Sequence, residues 1–206
     1  VNRRKARLAL NLPTGARIVL FGAGSGLKDE HKGGDLLLNA ISRLSASQSG
    51  LRDGRETVLA IFGQESEPFF IGEIRVIFLG RLNDTNLRNA YSASNVMVVP
   101  SRLDNFPSTA VEAQACGTPV VAFRAGGLSD IVENHKTGLL VDPFDTDRLD
   151  DAIRVILDDS RLEQAFSRAA RVRAQDEWAA EPVARKYLDI LARAAKKKGA
   201  HAQIAQ

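Results

Sequence analysis

The chain has 206 residues, of which 44% are hydrophobic and 26% charged, as in an ordinary globular protein with one large domain. A net charge of +3 does not indicate a nucleic-acid partner, and a single cysteine excludes an internal disulfide framework, so the cytoplasm is the expected location. No apolar run approaches the roughly 20 residues of a transmembrane span, although the lysines at 196–198 could touch an anionic membrane, such as the inner face of the cell membrane.

Short apolar runs rich in β-branched residues alternate with segments of helical periodicity along the chain. This alternation predicts an α/β domain with a doubly wound, mostly parallel, Rossmann-like sheet of about six strands and helices on both faces, plus C-terminal helices. The predicted strands are 17–21, 57–62, 76–79, 96–99, 120–123 and 138–141. The predicted helices are 35–45, 84–93, 107–116, 128–133, 147–157, 161–174 and 181–198.

Ligands of such sheets bind beyond the carboxyl ends of the strands, and a glycine-rich loop containing Gly24 follows the first strand. Its glycine spacing does not fit a dinucleotide fingerprint, because Leu27 stands where the third glycine belongs. The loop can still wrap a phosphate with its N–H groups, and Lys32 can place a point charge on a diphosphate. The alternative is a flexible loop with solvated lysines.

Two carboxylates, Asp104 and Glu112, flank the next candidate ligand site. Pro107, between them, is predicted to be the first residue of a helix, and Gly117 is predicted to end that helix. Asp104 then lies in the loop before the helix and Glu112 lies inside it, roughly 7 Å along the axis from Pro107. This arrangement suits an anionic ligand that carries hydroxyl groups on both sides of its phosphates.

Three further features have a structural and a functional interpretation. Gly126-Gly127 forms either a tight turn from strand to helix or a close backbone approach to a ligand. Arg81, at the end of its strand, is either a surface residue or part of the same ligand edge. The Asp145-Thr146-Asp147 motif resembles a metal-binding D-x-D, but it precedes a helix and is explained by capping.

The histidines are scattered and the cysteine is isolated, so no metal site is expected. Trp178 is expected to anchor the last helix against the sheet.

Several of these segments together resemble one family. They are Val76-Ile-Phe-Leu-Gly80-Arg81, the stretch from Leu87 to Tyr91, the Asp104…Glu112 pair, Ala115-Cys-Gly117-Thr-Pro119, Gly126-Gly127 and Thr137-Gly138. Their order and spacing resemble the C-terminal domain of the family 4 (group 1) retaining glycosyltransferases of the GT-B fold. The resemblance covers nearly the whole chain.

The resemblance implies a donor site for a UDP- or GDP-linked sugar, without a cofactor or a metal. Glu112 would hold the ribose hydroxyls, Asp104 would contact the donor sugar, and Lys32 would stabilise the leaving diphosphate. Gly80 and Arg81 would lie where the base packs. The remaining residues of the implied donor site are Gly24, Lys28, Asn105, Phe106, Pro107, Ser108, Gly126 and Gly127.

The chain departs from the family pattern at three places. The first acid of the motif is Asp104 instead of glutamate, Ser129-Asp130 replaces Pro-Glu, and Lys28 is the nearest candidate for the usual phosphate-binding arginine. The acceptor-binding N-terminal domain of the family is absent from the chain. Residues 1–14 are therefore expected to be a linker remnant, residues 15–198 the donor domain, and residues 199–206 a disordered tail.

The implied function is sugar transfer with retention to a glycan or lipid-linked acceptor, in bacterial surface polysaccharide biosynthesis. The chain alone is expected to bind nucleotide and to be essentially inactive. A GT-B nucleotide-sugar epimerase and a non-enzymatic nucleotide-sugar-binding module are the alternatives. The epimerase needs acid–base residues in the cleft, and the sequence offers no well-placed histidine.

Overall fold

The structure, a computed structural model, describes residues 1–22, 24, 26–46 and 54–204, with the side chains of those up to residue 195. The strands in these residues are β1 (Arg17–Gly22), β2 (Thr57–Phe62), β3 (Phe69–Ile71), β4 (Ile74–Gly80), β5 (Val96–Val99), β6 (Val120–Phe123) and β7 (Gly138–Val141). The helices are α1 (Arg3–Ala9), α2 (Gly34–Ala46), α3 (Asp84–Ala93), α4 (Ser108–Ala115), α5 (Leu128–Ile131), α6 (Thr146–Asp158), α7 (Ser160–Glu177) and α8 (Ala180–Ile204), with 3₁₀ turns at Gly26–Lys28 and Glu30–Lys32.

The described strands form one sheet of the order β3-β4-β2-β1-β5-β6-β7, which confirms the predicted doubly wound α/β fold. All neighbouring strands are parallel except β3 and β4. The chain first winds outward from β1 through β2 and β4, and then returns to place β5 on the other side of β1. The loops after β1 and β5 therefore leave the sheet in opposite directions, and a crevice opens between them.

Alternate residues of β1 enter two separate cores, as the two-residue period of a strand requires. Val19 and Phe21 face α2 and α6, where they pack among Leu37, Ile41, Ile153 and their neighbours. Ile18 and Leu20 face α1, α3 and α4, among Ala6, Tyr91, Ala113 and their neighbours. Because both faces are covered, the strands read as continuous apolar runs, which is why six of them could be predicted.

The edge strand β3 raises the number of strands from the predicted six to seven. It has three residues, too few for a recognisable alternation, and it pairs with β4 across the two-residue turn Gly72-Glu73. Gly72 has a φ of 57°, a conformation that such tight hairpins require. The Gly-Glu dipeptide between two isoleucines was the signal for this hairpin.

The two ends of the chain are more helical than predicted. Residues 1–14 contain α1, whose first turn is capped by the side chain of Asn2. At the other end, α8 continues to Ile204, so the tail predicted as disordered from residue 199 is helical to that residue. The predicted basic contact at 196–198 lies outside the described side chains. Among the described residues, no helix is both long and apolar enough to span a membrane.

A buried polar network ties α1 to the rest of the domain. Asn95 makes two hydrogen bonds with Ile18. Its side-chain oxygen accepts from the backbone N–H of Ile18 at 2.9 Å, and its backbone N–H donates to the carbonyl of Ile18 at 2.8 Å. The same side-chain oxygen accepts from Arg7, and the Asn95 amide donates to Glu163. Burial, reinforced by the neighbouring Arg3, lowers the pKa of the Arg7 guanidinium to about 10, so it stays charged at neutral pH.

Replacing Asn95 should therefore destabilise the domain more than an exposed asparagine would. Asn95→Ala leaves the Ile18 N–H and Arg7 without their shared acceptor, and we expect the free energy of unfolding to fall by about 2–4 kcal/mol. Asn39→Ala on the exposed face of α2 is the matched control and should cost less than about 1 kcal/mol. Urea denaturation measures both, and equal effects would show that the network does not hold α1 in place.

Candidate functional site

An ion pair bridges the crevice between β1 and β5. Nζ of Lys32, on the second 3₁₀ turn after β1, lies 2.5 Å from Oδ2 of Asp104, in the loop after β5. The Asp104 side chain is 13% exposed and that of Lys32 is 34% exposed, so the pair is partly shielded and opens to solvent mainly on the lysine side. The structure thus brings together the two predicted catalytic residues, and it pairs them with each other.

The turn that carries Lys32 is fastened to the loop after β5. Gly33 has a φ of 68° and lies so close to the Pro100 carbonyl that a Cβ atom would overlap it. Arg102 donates both terminal nitrogens to the carboxylate of Asp35, at 2.7 and 2.6 Å, and one of them also to the Glu30 carbonyl. These contacts fix the Lys32 turn against the Asp104 loop. The hydrogen bonds and charge of Arg102 lower the pKa of Asp35.

The two glycines after β6 pack against the same loop. A Cβ atom at Gly126 would overlap the carbonyl oxygen of Asp104, and one at Gly127 would overlap that of Asn105. The Gly127 N–H donates to the Asp104 carbonyl at 3.1 Å. The close approach that was considered for a ligand is thus made by protein backbone, and its effect is to hold the Asp104 loop from one side.

Glu112 lies on α4, the helix that follows the Asp104 loop, and its carboxylate is oriented by a tyrosine. The hydroxyl of Tyr91, on α3, donates to Oε2 of Glu112 at 2.8 Å. Burial, and then this hydrogen bond, raise the pKa of Tyr91. A carboxylate has about four acceptor positions, so Glu112 keeps several for a ligand.

An open cavity of about 440 Å³ lies beside this tyrosine. It is lined by Gly24, Phe62, Gly63, Arg81, Leu82 and Leu87, which come from the loops after β1, β2 and β4 and from α3. The Phe62 ring meets Tyr91 edge to face, with the ring centres 5.8 Å apart. Two predicted residues, Gly24 and Arg81, therefore both line the cavity. Phe62 in its wall contacts Tyr91, the residue that donates to Glu112.

The remaining predicted residues surround the start of α4. Pro107 is the residue before the helix, not its first residue, because its ψ of 111° is extended. It gives no side-chain cap, and the Ala110 N–H donates to the Pro107 carbonyl at 3.1 Å, so the N–H groups at the exposed Ser108 and at Thr109 are the ones that an anion could meet. Lys28 and Asn105 are exposed on the same edge of the sheet.

Phe106 shows a contact that the sequence did not suggest. The centres of the Phe106 and Trp178 rings lie 5.2 Å apart in a T-shaped arrangement. Nζ of Lys186, on α8, lies 5.8 Å from the centre of the Trp178 ring. Trp178 therefore links the loop before α4 to the last helix, whereas the sequence suggested an anchor against the sheet.

No group of three or more histidine, cysteine or acidic side chains that could hold a metal is found in the described part of the chain. Asp145 caps α6 by accepting from the Arg148 N–H at 2.9 Å, which confirms the capping interpretation of the D-x-D motif.

Sequence reasoning missed Tyr91, Phe62, Arg102 and Asp35 as parts of the site. Tyr91 had no clear signal, because α3 runs from the carboxyl end of β4 toward the start of β5, and the contact with Glu112 depends on how α3 packs on α4. Arg102 and Asp35 had none, because their contact joins residues 67 positions apart and depends on the strand order.

The edge of the sheet thus offers an open cavity, an acceptor carboxylate, a lysine with its carboxylate partner, and the start of a helix. A flat apolar group fits the cavity, hydroxyl groups can donate to Glu112 and Asp104, and phosphates can be met by Lys32 and helical N–H groups.

A model of the family described as glycosyl transferases group 1 matches residues 2–173. The chain belongs to the group 1 glycosyltransferases. This confirms the resemblance on which the expected donor site rests.

Named relatives of this glycosyltransferase chain include two D-inositol 3-phosphate glycosyltransferases. That of Saccharomonospora viridis is 35% identical over 187 residues, which cover 84% of this chain and 42% of the relative. That of Mycolicibacterium smegmatis is 37% identical over 188 residues, covering 86% and 41%. The chain therefore spans less than half the length of the curated relatives it matches.

Two solved structures share the fold. Sucrose-phosphate synthase from Thermosynechococcus elongatus superposes with a TM-score of 0.75 at 30% identity, over 94% of this chain and 49% of that one. HepE of Anabaena, in complex with UDP and glucose, superposes with a TM-score of 0.71 over 92% of this chain and 52% of that one. At 20% identity, the second likeness shows the fold alone.

Gly126→Ala should destabilise the domain through the Asp104 loop. Gly126 has a φ of 52°, and an added Cβ atom would have to displace the backbone of Asp104, so we expect a loss of about 2–4 kcal/mol in the free energy of unfolding. The control is Gly24→Ala on the same edge, where an added Cβ atom meets nothing within 4 Å. Urea denaturation compares the two, and equal stabilities would show that the loop does not depend on this glycine.

Proposed function

We propose that this chain is the donor-binding half of a retaining glycosyltransferase that takes its sugar from a nucleoside diphosphate. The observation that carries the proposal is the set of groups at one edge of the sheet: an open cavity, the carboxylate of Glu112, and the Lys32–Asp104 pair. These match in chemistry the three parts of a nucleotide sugar, which are a base, a ribose with two hydroxyls, and a diphosphate joined to a polyhydroxylated ring.

The roles follow from the charges. The base lies in the cavity against Leu87 and Arg81, and Glu112 accepts hydrogen bonds from the ribose hydroxyls while Tyr91 keeps it oriented. Lys32 neutralises the diphosphate as the bond to the sugar breaks, which is electrostatic stabilisation and requires neither proton transfer nor a metal. Asp104 accepts from hydroxyl groups of the sugar.

Uridine diphosphate is the nucleotide we propose first. The Anabaena HepE structures of the same fold contain UDP, UDP with glucose, or UDP-glucose. The cavity is open and partly apolar in its lining, which suits a uracil ring packed between side chains. Guanosine diphosphate is the alternative from the sequence.

The acceptor belongs to a second domain outside this chain, in this proposal. A glycan or lipid-linked acceptor in surface polysaccharide assembly is one candidate, with the enzyme in the cytoplasm at the membrane. The names of the relatives favour a second candidate, a small phosphorylated polyol such as an inositol phosphate. The family match favours a transferase over the epimerase or the non-enzymatic binding module.

Nucleotide titration tests the proposal on the chain itself. We expect UDP or GDP to bind and to shift the backbone amide NMR signals of Lys32, Asp104 and Glu112. Glu112→Ala should weaken the binding of that nucleotide by about 1–3 kcal/mol, because a charged hydrogen-bond acceptor for the ribose is lost. Isothermal titration calorimetry gives the dissociation constants.

The matched control is Glu73→Ala, which removes an exposed glutamate in the β3–β4 turn at the opposite end of β4. It should leave nucleotide affinity unchanged within about twofold. Unmoved amide signals at all three site residues with millimolar UDP and GDP would refute the proposed function.

A further inference from the structure

Asp104 forms an ion pair with Lys32, the residue that meets the diphosphate in the proposed function. Oδ2 of Asp104 lies 2.5 Å from Nζ of Lys32, in a pair whose acidic member is almost buried. Two other acids close to Lys32 in sequence have separate partners: both oxygens of Asp35 bind Arg102, and Asp29 accepts from the His31 N–H. Among the described residues, Asp104 is the acid that pairs with Lys32.

The backbone around Asp104 holds this acid in place. Its carbonyl accepts from the Gly127 N–H, and Gly126 and Gly127 leave no room for the loop to move toward β6. Lys32 stands on a turn fixed from the other side by Gly33 and Arg102, but its side chain has four rotatable bonds and is one-third exposed. When an anion arrives, the long lysine side chain can turn to it, while the carboxylate can move only about its two side-chain bonds on a backbone that is held.

Resting on the proposed function, in which Lys32 meets the terminal phosphate, we propose that Asp104 competes with that phosphate for Lys32. A nucleoside diphosphate without a sugar must break the pair and then lie beside an unpaired carboxylate, so its binding is weakened twice. A sugar on the phosphate changes this balance, because its hydroxyl groups donate to Asp104 and replace the lost lysine. The pair thus opposes retention of the diphosphate that is left after transfer.

Removing the charge of Asp104 should therefore tighten the binding of UDP. Asn is isosteric with Asp, and Asp104→Asn frees Lys32 and removes the repulsion, so we expect the dissociation constant of UDP to fall about three- to tenfold. UMP has no second phosphate to reach Lys32, and its dissociation constant should change less than about twofold. Calorimetry on the whole chain measures both, with GDP and GMP used if GDP is the nucleotide that binds.

Two controls distinguish the competition for Lys32 from a general effect of charge on nucleotide binding. Asp142→Asn removes an exposed acid from the loop after β7, on the same edge of the sheet, and should leave UDP binding unchanged. In a Lys32→Met background, Asp104→Asn should improve UDP binding less than it does in the wild-type chain, because the repulsion is relieved but there is no lysine to release. Melting temperatures of all variants show that each is folded.

The outcomes are distinct. Tighter UDP binding by Asp104→Asn, absent for UMP and reduced without Lys32, supports the competition. Unchanged or weaker UDP binding by Asp104→Asn, or an equal gain with UMP or without Lys32, overturns it while the proposed function stands. A wild-type chain that binds neither UDP nor GDP refutes the proposed function and this inference together.

Discussion

The position of β1 between β2 and β5 is the constraint on which the rest of the site depends. Because the chain winds outward on one side of β1 and then on the other, the loops after β1 and β5 diverge and leave a crevice. Lys32 and Asp104 stand on opposite sides of this crevice, and only the strand order makes them neighbours. Two opposite charges in a partly shielded crevice stabilise each other, and each can also meet a ligand that carries phosphate groups for the lysine and hydroxyl groups for the carboxylate.

Close backbone packing, more than side-chain contact, fixes the acidic side of the crevice. Gly126 and Gly127 lie against the carbonyls of Asp104 and Asn105, so any larger residue would push the loop away. The short helix that follows these glycines is itself held by Arg173, which donates to the carbonyls of Asp130 and Ile131. This chain of contacts leads from α7 to Asp104 and explains why an exposed loop carries a carboxylate at one defined place.

The sequence predicted what depends on local pattern and missed what depends on contacts between distant segments. Six strands were predictable because they are apolar runs, four of them buried throughout and β4 and β7 in part, whereas β3, with three residues, was too short. The position of Glu112 on a helix followed from Pro107 and Gly117. The pairing of Lys32 with Asp104 could not be predicted, because 72 residues separate them. The contacts of Gly126 and Gly127 with the backbone of the Asp104 loop were likewise not predictable from the sequence, in which these glycines suggested a tight turn or a close approach to a ligand.

The hydrogen bond from Tyr91 to Glu112 keeps its donor throughout the neutral pH range. Burial and the bond to Glu112 raise the pKa of Tyr91, so the phenol keeps its proton and remains a donor. A raised pKa of this kind contributes stability that is fully present below the usual tyrosine value of about 10 and is lost only at more alkaline pH. Because Tyr91 also packs on Phe62 in the cavity wall, a base that displaces Phe62 would move the group that orients Glu112. In the proposed function, base and ribose therefore share one connected wall, and the diphosphate meets a separate pair of charges across the crevice.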